Sequence, residues 1–238
     1  SPLMHRFLSS VTRIVATSSN YLESSKVLKR YNNKTCIIPL GLDSKDYPSA
    51  PKQLRNKWKL RFPRPFFLFI GVLRYYKGLH ILIEAAKEIN ADIVIAGTGP
   101  MEGDLKAQVR RTKAVNVHFL GRVSDLDKSA LLDACTAFVF PSHLRSEAYG
   151  LSLVEASMAG KAMISCEMGT GTSFVNIDNV TGIVCPPADV GSLRMAMHRL
   201  LEDEALRDRY GHAAKARYYR ELTSRRMVEE YVRLYQSI

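Results

Sequence analysis

No apolar run in the 238 residues approaches the ~18–20 that a membrane-crossing helix needs. The most apolar stretch, Pro65 to Leu73, is about half that long and reads as a buried strand. Cysteine is scarce: Cys36, Cys135, Cys166 and Cys185 are widely spaced, with no C-x-x-C pair. That disfavours both a zinc knuckle and a disulfide framework, and the four read as small buried hydrophobes in a reducing compartment. There is no internal repeat and no low-complexity segment. Nor does a secretory leader, with its basic, apolar and small-residue regions, open the chain. It starts at Ser1 in mid-pattern, without Met, which reads as an expressed excerpt of a longer protein with a tag scar at its front.

Acid is also in short supply, with 23 Asp and Glu against 34 Lys and Arg, a net charge of +11. Such an excess admits nucleic acid, an anionic membrane surface or phosphorylated ligands. No helix-turn-helix, RNA-binding sheet motif or zinc finger accompanies it, so no nucleic-acid partner is expected. Much of the charge falls in helical stretches such as Arg207 to Arg226. A solvated basic surface is the plain reading, and peripheral contact with an anionic membrane is the other. The remaining composition, 46% hydrophobic and 24% charged, suits one large globular domain, or one domain and a fragment of another.

Short apolar runs alternate with amphipathic ones. Strands are predicted at residues 13–17, 35–39, 66–72, 92–96, 115–120, 137–140, 162–165 and 182–185. Between most of them the spacing is helical: Leu193, Ala196, Met197, Leu200 and Leu201 form one stripe. Helices at about 206–220 and 224–236 end the chain. The alternation predicts an α/β fold, a parallel sheet covered by helices on both faces. Residues Leu40 to Gln53 have two prolines, a glycine and little apolar content, and read as a linker. What precedes them, strand–helix–strand, is too short to bury its own core. Residues 1–48 are therefore expected to be the tail of an upstream domain with its linker, and 49–238 the main domain.

In open parallel sheets, ligands bind beyond the carboxyl ends of the strands. Four unusual segments follow predicted strands directly: Gly71–Gly78, Gly97–Pro100, Gly121–Val123 and Pro141–Glu155. The densest is SEAYGLSLVEASMAG, Ser146 to Gly160. Gly150 opens a helix whose apolar positions are Leu151, Val154, Met158 and Ala159, and Glu155 falls on that same stripe. A carboxylate there must meet donors, either ribose hydroxyls of a ligand or an internal Arg or Lys. Glu147 lies in the preceding loop, where it could equally be a solvated acid. Free amides from Tyr149 to Ser152 make the helix start an anion site suited to a diphosphate. Arg74 and Lys77, in GVLRYYKG, are placed to neutralise that diphosphate, although Lys-Gly also opens many surface helices. The Gly97-Thr98-Gly99 turn permits close backbone approach, to a ligand or merely within a turn.

Glu-x7-Glu within SEAYGLSLVEASMAG, with FIGVLRYYKGLHILIEAA, IAGTGP, FLGRV and the linker-like IPLGLD, resembles glycosyltransferase family four, of GT-B fold. The resemblance covers nearly the whole chain, with the five motifs in the family's order. It implies two Rossmann-like domains facing across a cleft, the carboxyl-terminal one holding the donor and the missing one the acceptor. Glu155 would hold the ribose, Glu147 would face the transferred sugar, and Arg74 and Lys77 would clamp the diphosphate beside the Tyr149, Gly150, Leu151 and Ser152 backbone. Arg122 and Val123 would meet the base, with Gly71 and Gly99 close to the nucleotide. The reaction implied is retaining and needs neither metal nor other cofactor. It moves a sugar from a nucleoside-diphosphate sugar to a glycan or lipid-linked acceptor in cell-surface polysaccharide synthesis. GTGTSFVN, Gly169 to Asn176, is similar to O-antigen mannosyltransferase-like members, which leans the donor toward GDP-mannose. A cytoplasmic protein, peripheral on the inner membrane, follows. A GT-B epimerase, a phosphorylase or a non-catalytic binding domain are the rival implications. Two positions depart from the family: Val72 stands where members often have Arg, and Gly171-Thr172-Ser173 replaces a Gly-Gly…Glu turn.

Two features read as decoys. Asp125-Leu126-Asp127 has the D-x-D form of metal-dependent transferases, but after Ser124 it suits a helix entry. His143 could carry a proton or simply pack.

Overall fold

The six strands of the main sheet run in the order β5-β4-β3-β6-β7-β8, and every neighbouring pair is parallel. The computed structural model describes residues 2–238. In chain order its helices are α1 (Pro2–Ser10), α2 (Ser19–Ser24), α3 (Lys52–Arg61), α4 (Leu79–Ala86), α5 (Glu102–Thr112), α6 (Asp125–Ala134), α7 (Leu151–Met158), α8 (Thr172–Val175), α9 (Val190–Glu202), α10 (Glu204–Glu221) and α11 (Ser224–Gln236). The strands are β1 (Ile14–Ala16), β2 (Thr35–Ile37), β3 (Phe66–Ile70), β4 (Asp92–Ala96), β5 (Val117–Gly121), β6 (Ala137–Phe140), β7 (Met163–Cys166) and β8 (Gly182–Cys185).

Continuous apolar runs such as Phe66–Phe69 and Ile93–Ala96 are buried on both sides, as a strand covered by two helical layers must be. Helices α4, α5 and α9 pack together, while α3 packs on α6 and α10 on α7. The chain builds β3, β4 and β5 outward in one direction, then crosses back to build β6, β7 and β8 in the other. The connections after β3 and β6 therefore leave the same edge side by side, in opposite senses. A crevice forms at such a reversal without any special loop sequence.

The predicted strands are all present, and each occupies the predicted residues to within two at either end. The 162–165 strand lies one residue later, at Met163–Cys166. Helices α1 and α8 were not expected: the first is a short, exposed amphipath, and the second is only four residues long, too short to show a helical period. Helix α8 is held instead by tertiary bonds, such as Thr172 Oγ1 to the Cys166 carbonyl at 3.0 Å.

Before the main sheet, β1 and β2 form a two-stranded parallel sheet. The segment after it, read as a linker, is clasped at one point by the junction of α10 and α11. Leu42 donates to the Leu222 carbonyl at 3.1 Å and its own carbonyl accepts from Ser224 at 2.9 Å. The Tyr218 hydroxyl donates to the same Leu42 carbonyl at 3.0 Å. Gly41 allows this, since a Cβ there would lie 2.2 Å from the Thr223 carbonyl oxygen.

Helix α6 begins on a Ser124 cap, whose hydroxyl accepts from the Asp127 amide at 3.1 Å. Asp127 in turn accepts from the buried Trp58 indole at 2.9 Å, which fixes α3 across α6. Hydrogen bonds, from Ser124 first and also from Trp58, hold the Asp127 carboxyl below its usual range against the opposing effect of burial. Its stabilising contribution is thus present above the unfolded carboxylate pKa and fades as pH falls through the folded one. Asp127→Ala, which also leaves the indole donor unpaired, should lower stability by about 1–3 kcal/mol in urea unfolding at pH 7. The gap from the parent should narrow below about pH 4; an unchanged gap there would contradict the assignment.

Candidate functional site

Two cavities meet at the reversal and share Gly71 and Val72. The larger, 600 Å³, is lined by Arg74, Tyr76 and Lys77 from the loop after β3, by residues 146–152 ahead of and within α7, and by Leu40. The other, 360 Å³, takes Gly97 and Thr98 after β4, Arg122 and Val123 after β5, and Asp125 and Lys128 from α6. All four segments singled out in the sequence thus open on one edge of the sheet.

The loops are stitched to one another by backbone. Gly71 donates to the Ala96 carbonyl and Leu73 to that of Thr98, both at 3.0 Å, while Gly97 donates to Gly121 at 2.8 Å. Gly97 has φ +138°, and a Cβ on it would fall 1.9 Å from the Gly71 carbonyl oxygen. Gly99 faces the Leu73 backbone in the same manner, with 2.5 Å to its oxygen. The close approach these glycines permit is between loops of the protein, and Gly99 lines neither cavity.

The loop after β3 closes in a single 3-10 turn, Tyr75–Lys77, and Gly78 leaves it at φ +70° against the Pro141 carbonyl. His143 then donates its amide to the Tyr76 carbonyl at 2.9 Å, which seats this loop against the loop after β6. Lys77 is thereby carried inward, to 9% exposure, although its neighbours Arg74 and Tyr75 stay exposed. Its ammonium meets Glu147 Oε2 at 2.5 Å and lies 4.5 Å from the centre of the Phe140 ring. Ser142 donates to the same carboxylate oxygen at 3.1 Å. Glu147 is 8% exposed, so the reading of it as a solvated loop acid is excluded. Burial on this scale is tolerable because the charges are paired and the carboxylate gains a second donor.

Gly150, at φ +90°, turns the chain from that loop into α7, so that residues 149–152 end at the larger cavity. The amides of the first helical turn have no carbonyl before them to bond within the helix. Tyr149 is buried and donates its hydroxyl to the Leu40 carbonyl at 3.1 Å. Arg74, exposed and free of any carboxylate partner, supplies a second cation on the opposite wall.

Glu155 is buried, at 9% exposure, as is Val154 of the predicted stripe, but the stripe does not hold at its start. Leu151, the first member of that stripe, is 46% exposed at the cavity wall, whereas Leu153, Val154, Ala156 and Ser157 turn inward. Helix α7 runs through the interior, and burial reaches well around it. Of the two donors considered for Glu155, the internal lysine is present: Lys128 Nζ lies 2.9 Å from Oε1. Lys128 also meets Asp125 at 3.2 Å and lines the smaller cavity. Neither Lys128 nor Tyr47, which covers it, was singled out by sequence. The lysine's only signal was its i+3 spacing from Asp125.

The D-x-D residues part company as a helix entry does, Asp127 turning to Trp58 and Asp125 to Lys128. His143 packs edge-on against Tyr75 and His80, and its Nδ1 is buried without a partner. Burial, the leading cause, lowers its pKa. It lines neither cavity.

An open parallel sheet covered by helices, with a crevice at its reversal, defines a doubly wound α/β protein, and solved structures share the fold. Over 99% of this chain and 60% of the other, it superposes on sucrose-phosphate synthase from Thermosynechococcus elongatus with a TM-score of 0.85 at 23% identity. Over 100% of this chain and 70% of the other, it superposes on Anabaena Alr3699/HepE in complex with UDP-glucose, with a TM-score of 0.81 at 19% identity. The fold is the one expected of a GT-B glycosyltransferase. Residues 52–217 match the family described as glycosyl transferases, group 1, and the chain belongs to that family. It is 51% identical over 217 residues to "D-rhamnosyltransferase WbpZ" of Pseudomonas aeruginosa, covering 91% of this chain and 57% of that protein. To "O-antigen chain mannosyltransferase C" of Escherichia coli it is 44% identical over 237 residues, covering 100% and 64%. The chain thus spans about three-fifths of the length of these relatives.

The buried pair makes a direct prediction. Lys77→Met strands the Glu147 charge and should destabilise by about 3–5 kcal/mol. Adding Glu147→Gln should restore much of that loss in a urea double-mutant cycle. Additive losses would show that the two side chains do not interact.

Proposed function

We propose that this chain is the donor-binding half of a retaining, metal-independent glycosyltransferase that passes a sugar from a nucleoside-diphosphate sugar to a glycan or lipid-linked acceptor in cell-surface polysaccharide synthesis. The observation that carries this reading is the larger cavity, where Lys77, Arg74 and the start of α7 converge. Two cations and a set of free amides suit a group with two negative phosphates, and they suit it better as its charge rises on departure. The diphosphate sits at the helix start, between Arg74 and Lys77. Glu147, already bonded to Lys77, faces the transferred sugar. Glu155 takes the ribose, and the base lies in the smaller cavity against Arg122 and Val123. Leaving-group stabilisation, rather than a pair of carboxylates flanking the bond, carries the rate.

Two relatives named for D-rhamnose and mannose transfer support a manno-configured sugar, since D-rhamnose is 6-deoxymannose, and mannose on GDP is the favoured donor. Residues 1–48 serve as the tail of the acceptor domain and its linker, so the acceptor pocket lies largely outside this chain, which should not turn over donor alone. Calorimetric titration with GDP in EDTA should show binding that Glu155→Ala weakens about tenfold. No binding of GDP, or of any other nucleoside diphosphate, would contradict the reading, as would tight binding of an oligonucleotide instead.

The basic surface also has a place in this account. No helix among the described residues is long and apolar enough to cross a membrane. Helix α3 carries Lys52, Arg55, Lys57, Lys59 and Arg61 with no acid, and Leu60 beside them is 82% exposed. This face suits peripheral contact with anionic lipid at the cytoplasmic side of a bacterial inner membrane. Vesicles containing phosphatidylglycerol should sediment the protein, and replacing Lys52, Arg55 and Lys59 by Glu should reduce this at least tenfold, on the scale of about 1 kcal/mol per cation. Equal sedimentation with neutral vesicles would contradict it.

A further inference from the structure

The segment joining the small sheet to the large one also reaches the floor of the crevice. Tyr47 follows a 3-10 turn at Ser44–Asp46, and its ring covers Lys128 Nζ at 4.9 Å from the centroid. The Lys128 side chain is only 16% exposed, and its ammonium is shared between Glu155 Oε1 at 2.9 Å and Asp125 Oδ1 at 3.2 Å. It forms a wall of three separate cavities, of 210, 360 and 280 Å³, two of which Tyr47 also lines. Burial opposes the Lys128 charge, yet hydrogen bonds and charge from Glu155 and Asp125 outweigh it, so its pKa rises. The Tyr47 hydroxyl is pushed far above the usual phenol range, first by burial and then by the charge of Glu155 and a hydrogen bond to it. Ring, ammonium and carboxylate therefore form one connected cluster, built from the joining segment, α6 and α7.

A glutamate has several staggered rotamers, and one that must accept hydrogen bonds from a ligand binds more strongly if its orientation is set beforehand. Helix α7 alone does not set it. The ammonium beside Oε1 does, and the ring over that ammonium limits where the ammonium can move. The ring, in turn, is placed by a segment whose Leu42 is bonded to the junction of α10 and α11.

We propose that Tyr47 and Lys128 are positioning residues that orient the Glu155 carboxylate toward the 2′- and 3′-hydroxyls of a bound nucleotide, and so tie nucleotide affinity to the seating of residues 40–47. This rests on the reading of Glu155 as the ribose ligand. A structural role alone would weaken all nucleotides together, whereas a positioning role acts only through those hydroxyls.

The test is calorimetry on the intact chain with GDP and UDP, each paired with its 2′,3′-dideoxy counterpart. The parent should bind the better ribonucleotide roughly tenfold more tightly than its dideoxy form, the scale of one or two hydrogen bonds to a charged group. Tyr47→Ala and Lys128→Met should each erase most of that preference, with dideoxynucleotide affinity held within about twofold. Lys128→Arg should restore part of it. Thermal unfolding of each variant confirms that it is folded, Tyr47→Ala carries the test if Lys128→Met fails to fold, and Tyr47→Phe, which retains the ring, should retain the preference. A parent without the preference sinks the ribose reading and the inference with it. A parent that has it, with Tyr47→Ala and Lys128→Met variants that keep it or lose both nucleotides equally, overturns the inference alone.

Discussion

The buried contact between Lys77 and Glu147 joins the two halves of the crevice, and the rest of the site depends on it. Each residue belongs to a loop that leaves the sheet in the opposite sense from the other, one after β3 and one after β6. The two loops are held by one backbone bond, from His143 to Tyr76, by Gly78 lying against Pro141, and by this ion pair under a hydroxyl donor. The pair puts a positive charge at the start of α7, where free amides already favour anions. A phosphate entering the cavity need not order a flexible lysine, because that ordering belongs to folding.

The remainder is arranged around this contact in layers. The strand order determines which loops are adjacent. Glycines at 97 and 99 let those loops touch backbone to backbone. Helix α7 then serves twice, with its first turn at the larger cavity and Glu155 one turn further in. The elements outside the large sheet are attached at specific atoms: Leu40 to Tyr149, Leu42 to α10 and α11, and Asn20 to Ser173 at 2.9 Å. These attachments fall on the crevice side, and they place the joining segment within reach of Lys128.

Much of this was legible in the chain itself, for identifiable reasons. Phe66–Phe69 and Asp92–Ala96 are apolar without alternation, a pattern that only doubly covered strands require. Because parallel strands all end at one edge, locating the strands also located the loops, and with them Lys77, Arg74, Glu147 and Arg122. What escaped was set by partners distant in sequence. Leu151 looked like a core residue because apolar periodicity records hydrophobicity and not the presence of a cavity beside it. Lys128 drew no reading of its own, since only the fold brings α7 and Tyr47 to it. Gly99 was assigned to a ligand because a glycine shows that something approaches closely, but not what. Helix α8, four residues long, was too short to announce itself by periodicity, and Thr172 ties it to β7.

A crystal structure of the chain soaked with GDP in the absence of divalent metal tests the central claim most directly. The account requires the diphosphate between the first turn of α7 and the Lys77 ammonium, with the ribose at Glu155 and the base against Val123. Density for the nucleotide on any other surface, with the Lys77–Glu147 crevice left to water, would contradict it.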